Sequence, residues 1–130
     1  MTHPTYLLLH VADPLESGRF YGDLLRCAPV ESAPTFVLFA LETGLKLGLW
    51  SREGVEPASA PVSGSVEICI RVDDRDDVDA TFADWKARGV TMLMEPVEKD
   101  FGRTFVAIDP DGHRLRVFAP AGDLAQPSAG

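Results

Sequence analysis

The sequence predicts an α+β fold in which two βαβββ repeats form a curved mixed sheet around a cleft, and three observations predict it. Each half opens with a strand-like segment, apolar over Tyr6 to Val11 and alternating at period two over Val66 to Val72, and each time a segment with helical three- and four-residue apolar spacing follows it. A Pro- and Gly-rich stretch, Ser51 to Ser65, divides the chain near its middle. Shifting one half by 61 residues lays Val11 on Val72, Asp13 on Asp74, Tyr21 on Phe82, Asp23 on Asp84 and Leu24 on Trp85. The halves are therefore copies of one unit.

The first strand is read over Tyr6 to Val11, and Ala12-Asp13-Pro14 ends it because proline fixes a turn and opens a helix. A helix follows over Leu15 to Arg26, where Phe20 with Leu24 and Tyr21 with Leu25 make one apolar stripe; Pro29 stops it. Thr35 to Leu41 and Leu45 to Trp50 are strands joined by the Glu42-Thr43-Gly44 turn.

The second half opens with Val66 to Val72, alternating apolar and polar. Acidic Asp73 to Asp77 suits a helix start, Val78, Phe82 and Trp85 form its stripe, and Gly89 ends it. The acidic run lacks the Gly and terminal Glu of a calcium loop, so it reads as a solvated helix start. Val90 to Met94 is a short strand. Thr104 to Ile108 and Arg114 to Phe118 flank the Asp109-Pro110-Asp111-Gly112 turn, after which His113 is expected in solvent. Setting Gly44 on Gly112 aligns the last strands, with Lys46 on Arg114, Gly48 on Arg116 and Trp50 on Phe118. Residues 1–119 are expected as one domain of two modules, about 6–50 and 66–118, with 120–130 a flexible tail. One helix shields one face of each module's sheet, and the open face must meet a ligand or a second subunit.

Composition narrows the function. The 130 residues are 45% hydrophobic and 25% charged, as in an ordinary globular domain. Twelve Lys and Arg against 20 Asp and Glu leave a net charge of −8, which repels nucleic acid and anionic membranes. The longest apolar run, Phe36 to Leu41, falls far short of the roughly 20 residues that span a bilayer. No secretory signal is visible, so the cytoplasm is the expected compartment. Cys27 and Cys69 are isolated and read as reduced thiols.

Val11-Ala12-Asp13 followed by Phe20-Tyr21, and Phe101-Gly102-Arg103-Thr104-Phe105 leading to Asp109-Pro110-Asp111-Gly112-His113, resemble the vicinal-oxygen-chelate superfamily, the glyoxalase and bleomycin-resistance group. The resemblance covers about residues 6–119 and implies that group's fold. It implies function less sharply, because the superfamily holds isomerases, dioxygenases, thiol transferases and binding proteins. Metal enzymes of this group carry one ligand on the first and one on the last strand of each half. The matching positions here hold Tyr6, Gly48, Glu67 and Arg116, so neither a metal nor another cofactor is expected. What remains resembles the members that sequester toxic small molecules, as bleomycin- and phenazine-resistance proteins do, in homodimers with clefts at the subunit interface. The leading expectation is a non-enzymatic protein that binds an aromatic antibiotic-like compound. A metal-dependent lyase, isomerase or dioxygenase, and a metal-independent enzyme using Tyr6, His10 or Glu67, are the alternatives.

The candidate ligand residues follow from alternation. Leu45, Leu47 and Leu49 take the helix side of their strand, so Lys46, Gly48 and Trp50 take the open side, and bare Gly48 beside the indole makes a flat slot for a planar ring. Trp50 is otherwise a core or interface aromatic. Trp85 belongs to the core. Tyr6 and His10 share the open side of the first strand; His10 binds ligand or is a structural histidine. Glu67, Arg71, Arg116, Cys69 and Phe118 share the corresponding space in the second half. Glu67 and Arg116 hold a polar part of a ligand, pair with each other, or both. Phe101 and Arg103 lie in the segment that lines the cleft in binding members of the group, where Phe101 supplies a second aromatic wall or ordinary loop packing.

Overall fold

The computed structural model describes residues 4–59 and 66–121. The chain forms two compact units, Met1–Val62 and Ser63–Gly130, whose boundary falls in the Pro- and Gly-rich stretch. Within that stretch Arg52–Gly54 make one 3₁₀ turn and Val55 is buried, while residues 60–65 lie outside the described residues. Residues 122–130 of the expected tail lie outside them too.

The first unit runs β1 (Tyr6–Val11), α1 (Pro14–Leu25), β2 (Glu31–Ala33), β3 (Phe36–Ala40) and β4 (Lys46–Ser51). Its sheet has the order β1-β4-β3-β2, with β1 parallel to β4 and the other pairs antiparallel. The second unit runs β5 (Glu67–Arg71), α2 (Arg75–Ala87), β6 (Thr91–Lys99), β7 (Gly102–Ile108) and β8 (Arg114–Pro120), in the order β5-β8-β7-β6 and with the same parallel and antiparallel pattern. The repeat extends to single residues. Tyr6, Leu8 and His10 pair with Lys46, Gly48 and Trp50, and Glu67, Cys69 and Arg71 pair with Arg114, Arg116 and Phe118.

Helix α1 starts where Asp13 accepts hydrogen bonds from the N–H groups of Leu15 (3.1 Å) and Glu16 (3.3 Å), with Pro14 in the first turn. Its buried stripe is Pro14, Ser17, Gly18, Tyr21 and Leu24, against Val37, Phe39, Leu47 and Leu49 of the buried core. Phe20 and Leu25, expected in that stripe, flank it half-buried. Helix α2 starts in a reciprocal cap, in which Asp74 N–H donates to Asp77 and the Asp74 side chain accepts from the Asp77 backbone. Val78 and Trp85 are buried beneath it, and Phe105 of β7 meets Phe82 and Trp85 edge-on at 5.5 and 5.4 Å.

Several expectations need correction. Strand β2 is too short and polar to show in an apolar pattern. Strand β6 extends to Lys99, well past Met94, because it pairs only with β7 and its register shifts accommodate Pro96, which has no N–H to give. Strand β8 continues to Pro120 with Ala119 buried, so Pro120, read as the first tail residue, ends the strand. His113 is not in solvent: it is 8% exposed, and its Nδ1 lies 2.8 Å from Asp109 Oδ2. At Gly102 (φ +137°) an added Cβ would overlap the carbonyl of Ala119 across the hairpin, so only glycine fits.

Candidate functional site

Each sheet keeps one face under its helix and turns the other away from it. On the first unit this open face carries Tyr6, Leu8 and His10 of β1, Lys46, Gly48 and Trp50 of β4, and Phe36 and Leu38 of β3, as the pairings require. Tyr6 (54%) and Leu8 (41%) are largely exposed. The His10 ring stands edge-on to Trp50 at 6.2 Å and its Nδ1 lies 2.7 Å from Ser59 Oγ, which ties the segment after β4 to β1. Lys46 Nζ lies 5.2 Å from the centre of the Tyr6 ring, a cation–π contact.

The slot expected at Gly48 is not open. A Cβ there would lie 2.5 Å from Leu8 Cδ2 and 3.1 Å from the Phe36 ring, so these side chains already fill the space that glycine vacates. Glycine lets Leu8 and Phe36 close into an apolar floor beside Trp50. The space over Gly48 is therefore an apolar floor and not an empty groove. Alternation places Leu8 and Phe36 on the open face; that they converge over Gly48 depends on rotamers, which no spacing reveals.

On the second unit the open face carries Glu67, Cys69 and Arg71 of β5, Arg114, Arg116 and Phe118 of β8, and Thr104, Val106 and Ile108 of β7. Arg116 grips Glu67 with two bonds, Nε to Oε1 at 3.0 Å and Nη2 to Oε2 at 3.1 Å, while Nη1 reaches Thr104 Oγ1 at 3.3 Å. Arg114 Nη1 donates to Glu67 Oε2 at 3.3 Å. Hydrogen bonds from Arg116 hold the Glu67 carboxyl below the usual glutamate range against the upward push of burial, and the charges of both arginines add to this. The Glu67 hydrogen bonds raise Arg116 in turn. Burial pushes the Cys69 thiol up, with Glu67 adding to it, so Cys69 is not an activated nucleophile. The Arg116 guanidinium lies 5.7 Å from the centre of Phe101, whose ring meets Phe118 at 6.4 Å.

Arg103 does not join this group. It alternates with Thr104 onto the helix side, where it donates to Asp79 of α2 at 2.9 Å and to Glu98 of β6 at 3.0 Å. Thr104 and Arg114 escaped the sequence reading. Arg114 was accessible to it by alternation from Arg116, whereas a buried threonine resembles any strand residue.

The positions that the family resemblance marks as metal ligands hold Tyr6, Gly48, Glu67 and Arg116. Gly48 has no donor, Arg116 is a permanent cation, and both Glu67 oxygens already accept guanidinium hydrogens. This set does not fit a divalent cation. Asp109, Asp111 and His113 bring ligand-type atoms within 4.8 Å of one another. However, Asp109 Oδ1 accepts the N–H groups of Asp111 (2.9 Å) and His113 (2.8 Å) and Oδ2 faces His113 Nδ1, so the cluster is the device that closes the turn.

Residues 3–117 match the Glyoxalase/Bleomycin resistance protein/Dioxygenase superfamily. The chain belongs to this superfamily. It is 33% identical over 117 residues to the phenazine antibiotic resistance protein EhpR of Enterobacter agglomerans, covering 88% of this chain and 89% of that one. Among solved structures it resembles protein ATC0852 of Agrobacterium tumefaciens, with 55% identity, a TM-score of 0.86, and coverage of 94% of this chain and 100% of that one. A glyoxalase-related enzyme of Fulvimarina pelagi shares the fold at a TM-score of 0.81 and 23% identity, over 95% of this chain and 94% of that one. The two four-stranded sheets, each with one helix, are the α+β glyoxalase-type fold. Among the described residues no helix of this superfamily member is long and apolar enough to cross a membrane.

Proposed function

We propose that this protein is a non-enzymatic binding protein that sequesters a planar aromatic, antibiotic-like compound and so protects the cell. The single observation that carries this reading is the gripping of Glu67 by Arg116 at two of the positions that the family resemblance marks as metal ligands. That pair commits a candidate chelating carboxylate to a guanidinium and leaves the site suited to binding rather than Lewis-acid chemistry. The likeness to a phenazine antibiotic resistance protein supports it, as does an aromatic and apolar face on which Tyr6 and Leu8 are exposed and Phe36 and Trp50 half-buried. The same reading takes the protein as a homodimer, because Tyr6 and Leu8 are large apolar groups left in water.

Phenazine is the first probe, and titration calorimetry is expected to give saturable binding. Metal analysis of protein purified without chelator is expected to give less than stoichiometric zinc, iron, nickel or manganese. A tightly held metal that supports turnover, or no binding of phenazine or of other planar aromatic compounds, overturns the reading.

A further inference from the structure

On the open face of the second unit two arginines meet one carboxylate, although the chain as a whole is acidic. The protein has a net charge of −8, yet on this face Arg114 and Arg116 of β8 both turn to the one carboxylate of Glu67. Glu67 receives both Arg114 and Arg116, so these three groups together are net positive. Arg116 spends three of its five N–H groups on Glu67 and Thr104. One hydrogen on each Nη remains, the number that the two oxygens of a carboxylate accept. The guanidinium also lies against Phe101, an aromatic ring 36% exposed, which in turn meets Phe118. Cation and aromatic surface are thus contiguous.

We propose that Arg116, assisted by Arg114, selects ligands in which a planar aromatic ring bears a carboxylate, the ring lying against Phe101 and Phe118 and the carboxylate accepting from the guanidinium hydrogens that Glu67 leaves over. Glu67 has two effects: it orients Arg116 and it repels the incoming anion. This rests on the proposed binding function and adds the chemical class of its ligand.

The test uses the full-length protein and two probes with the same ring, 2-naphthoate and its neutral counterpart 2-naphthamide, in titration calorimetry. The parent is expected to bind the acid about tenfold more tightly than the amide. Arg116→Gln is expected to abolish that preference, with circular dichroism reporting that the variant is folded. Arg114→Gln, on the more exposed guanidinium, reduces the preference to a smaller degree. Glu67→Gln keeps an acceptor for Arg116 and removes the opposing charge, so the preference for the acid over the amide is expected to rise about threefold. That opposite sign separates a charge effect from structural damage. Equal binding of acid and amide by the parent, or a preference that survives both arginine substitutions, overturns this inference and leaves the binding function standing. If neither probe binds, this inference is overturned, and the phenazine titration decides the binding function separately.

Discussion

Tyr6 and Glu67 occupy the same place in two copies of one unit, as do Gly48 and Arg116, and Trp50 and Phe118. The topology and parallel registers agree residue for residue, yet one open face is an apolar floor of Leu8 and Phe36 closed over a glycine, and the other is an ion pair under two arginines. The helix-side residues account for the shared part. Leu47, Leu49, Leu115 and Val117 are all buried and interchangeable in kind, because packing under a helix asks only for apolar volume. The open faces are released from that demand, so duplicated scaffolds diverge there. The proposed function is carried by the faces the helices do not cover.

The sharpest way to break the comparison is at the hairpin glycines. Gly102→Ala places a Cβ on the Ala119 carbonyl and is expected to cost about 3 kcal/mol or more in thermal unfolding. Gly44→Ala in the first unit meets nothing within 4 Å and costs about 1 kcal/mol from its positive φ alone. Gly48→Ala is expected to lie between, at about 1–3 kcal/mol, because Leu8 and Phe36 must move. A Gly48→Ala protein as stable as the parent would show that the floor is loosely packed.

A smaller effect separates the faces by pH. The Glu67 carboxyl is lowered in the folded protein, chiefly by hydrogen bonds from Arg116. Its contribution to stability is therefore complete above the ordinary glutamate range and is lost as pH falls through the lowered value. Glu67→Gln should flatten that part of the acid unfolding curve, followed by circular dichroism. Tyr6→Phe, at the matching place in the first unit, should leave the curve's shape as it is. Light scattering at micromolar concentration addresses the association state, where a homodimer is expected and a monomer would count against exposed Tyr6 and Leu8 as an interface.

Much of this was legible in the sequence because period-two and helical spacings are set by backbone geometry. Both helices and the strands carrying Tyr6, Trp50, Glu67 and Arg116 follow from them. Strand β2, with only Glu31, Ser32 and Ala33, carries no apolar pattern, and the extension of β6 through Pro96 depends on a bulge that tertiary pairing imposes. Of the site, the facing of Trp50 and Glu67 was readable, whereas the filled space at Gly48 and the burial of His113 were not. Both arise from side chains distant along the chain or folded back within a turn, and periodicity is blind to them. Arg103 sits in a segment that resembles a binding loop, but Asp79 and Glu98 claim its guanidinium from the helix side.

The central claim is that the open face beside Trp50 binds a planar ring, and tryptophan fluorescence tests it most directly, since Trp85 is buried under α2 and Trp50 is not. Titration with phenazine should quench part of the emission in the parent and in Trp85→Phe. In Trp50→Ala most of the quench should vanish and binding should weaken by about 1–3 kcal/mol, from lost stacking and apolar burial. A Trp50→Ala protein that binds phenazine as tightly as the parent would contradict the account.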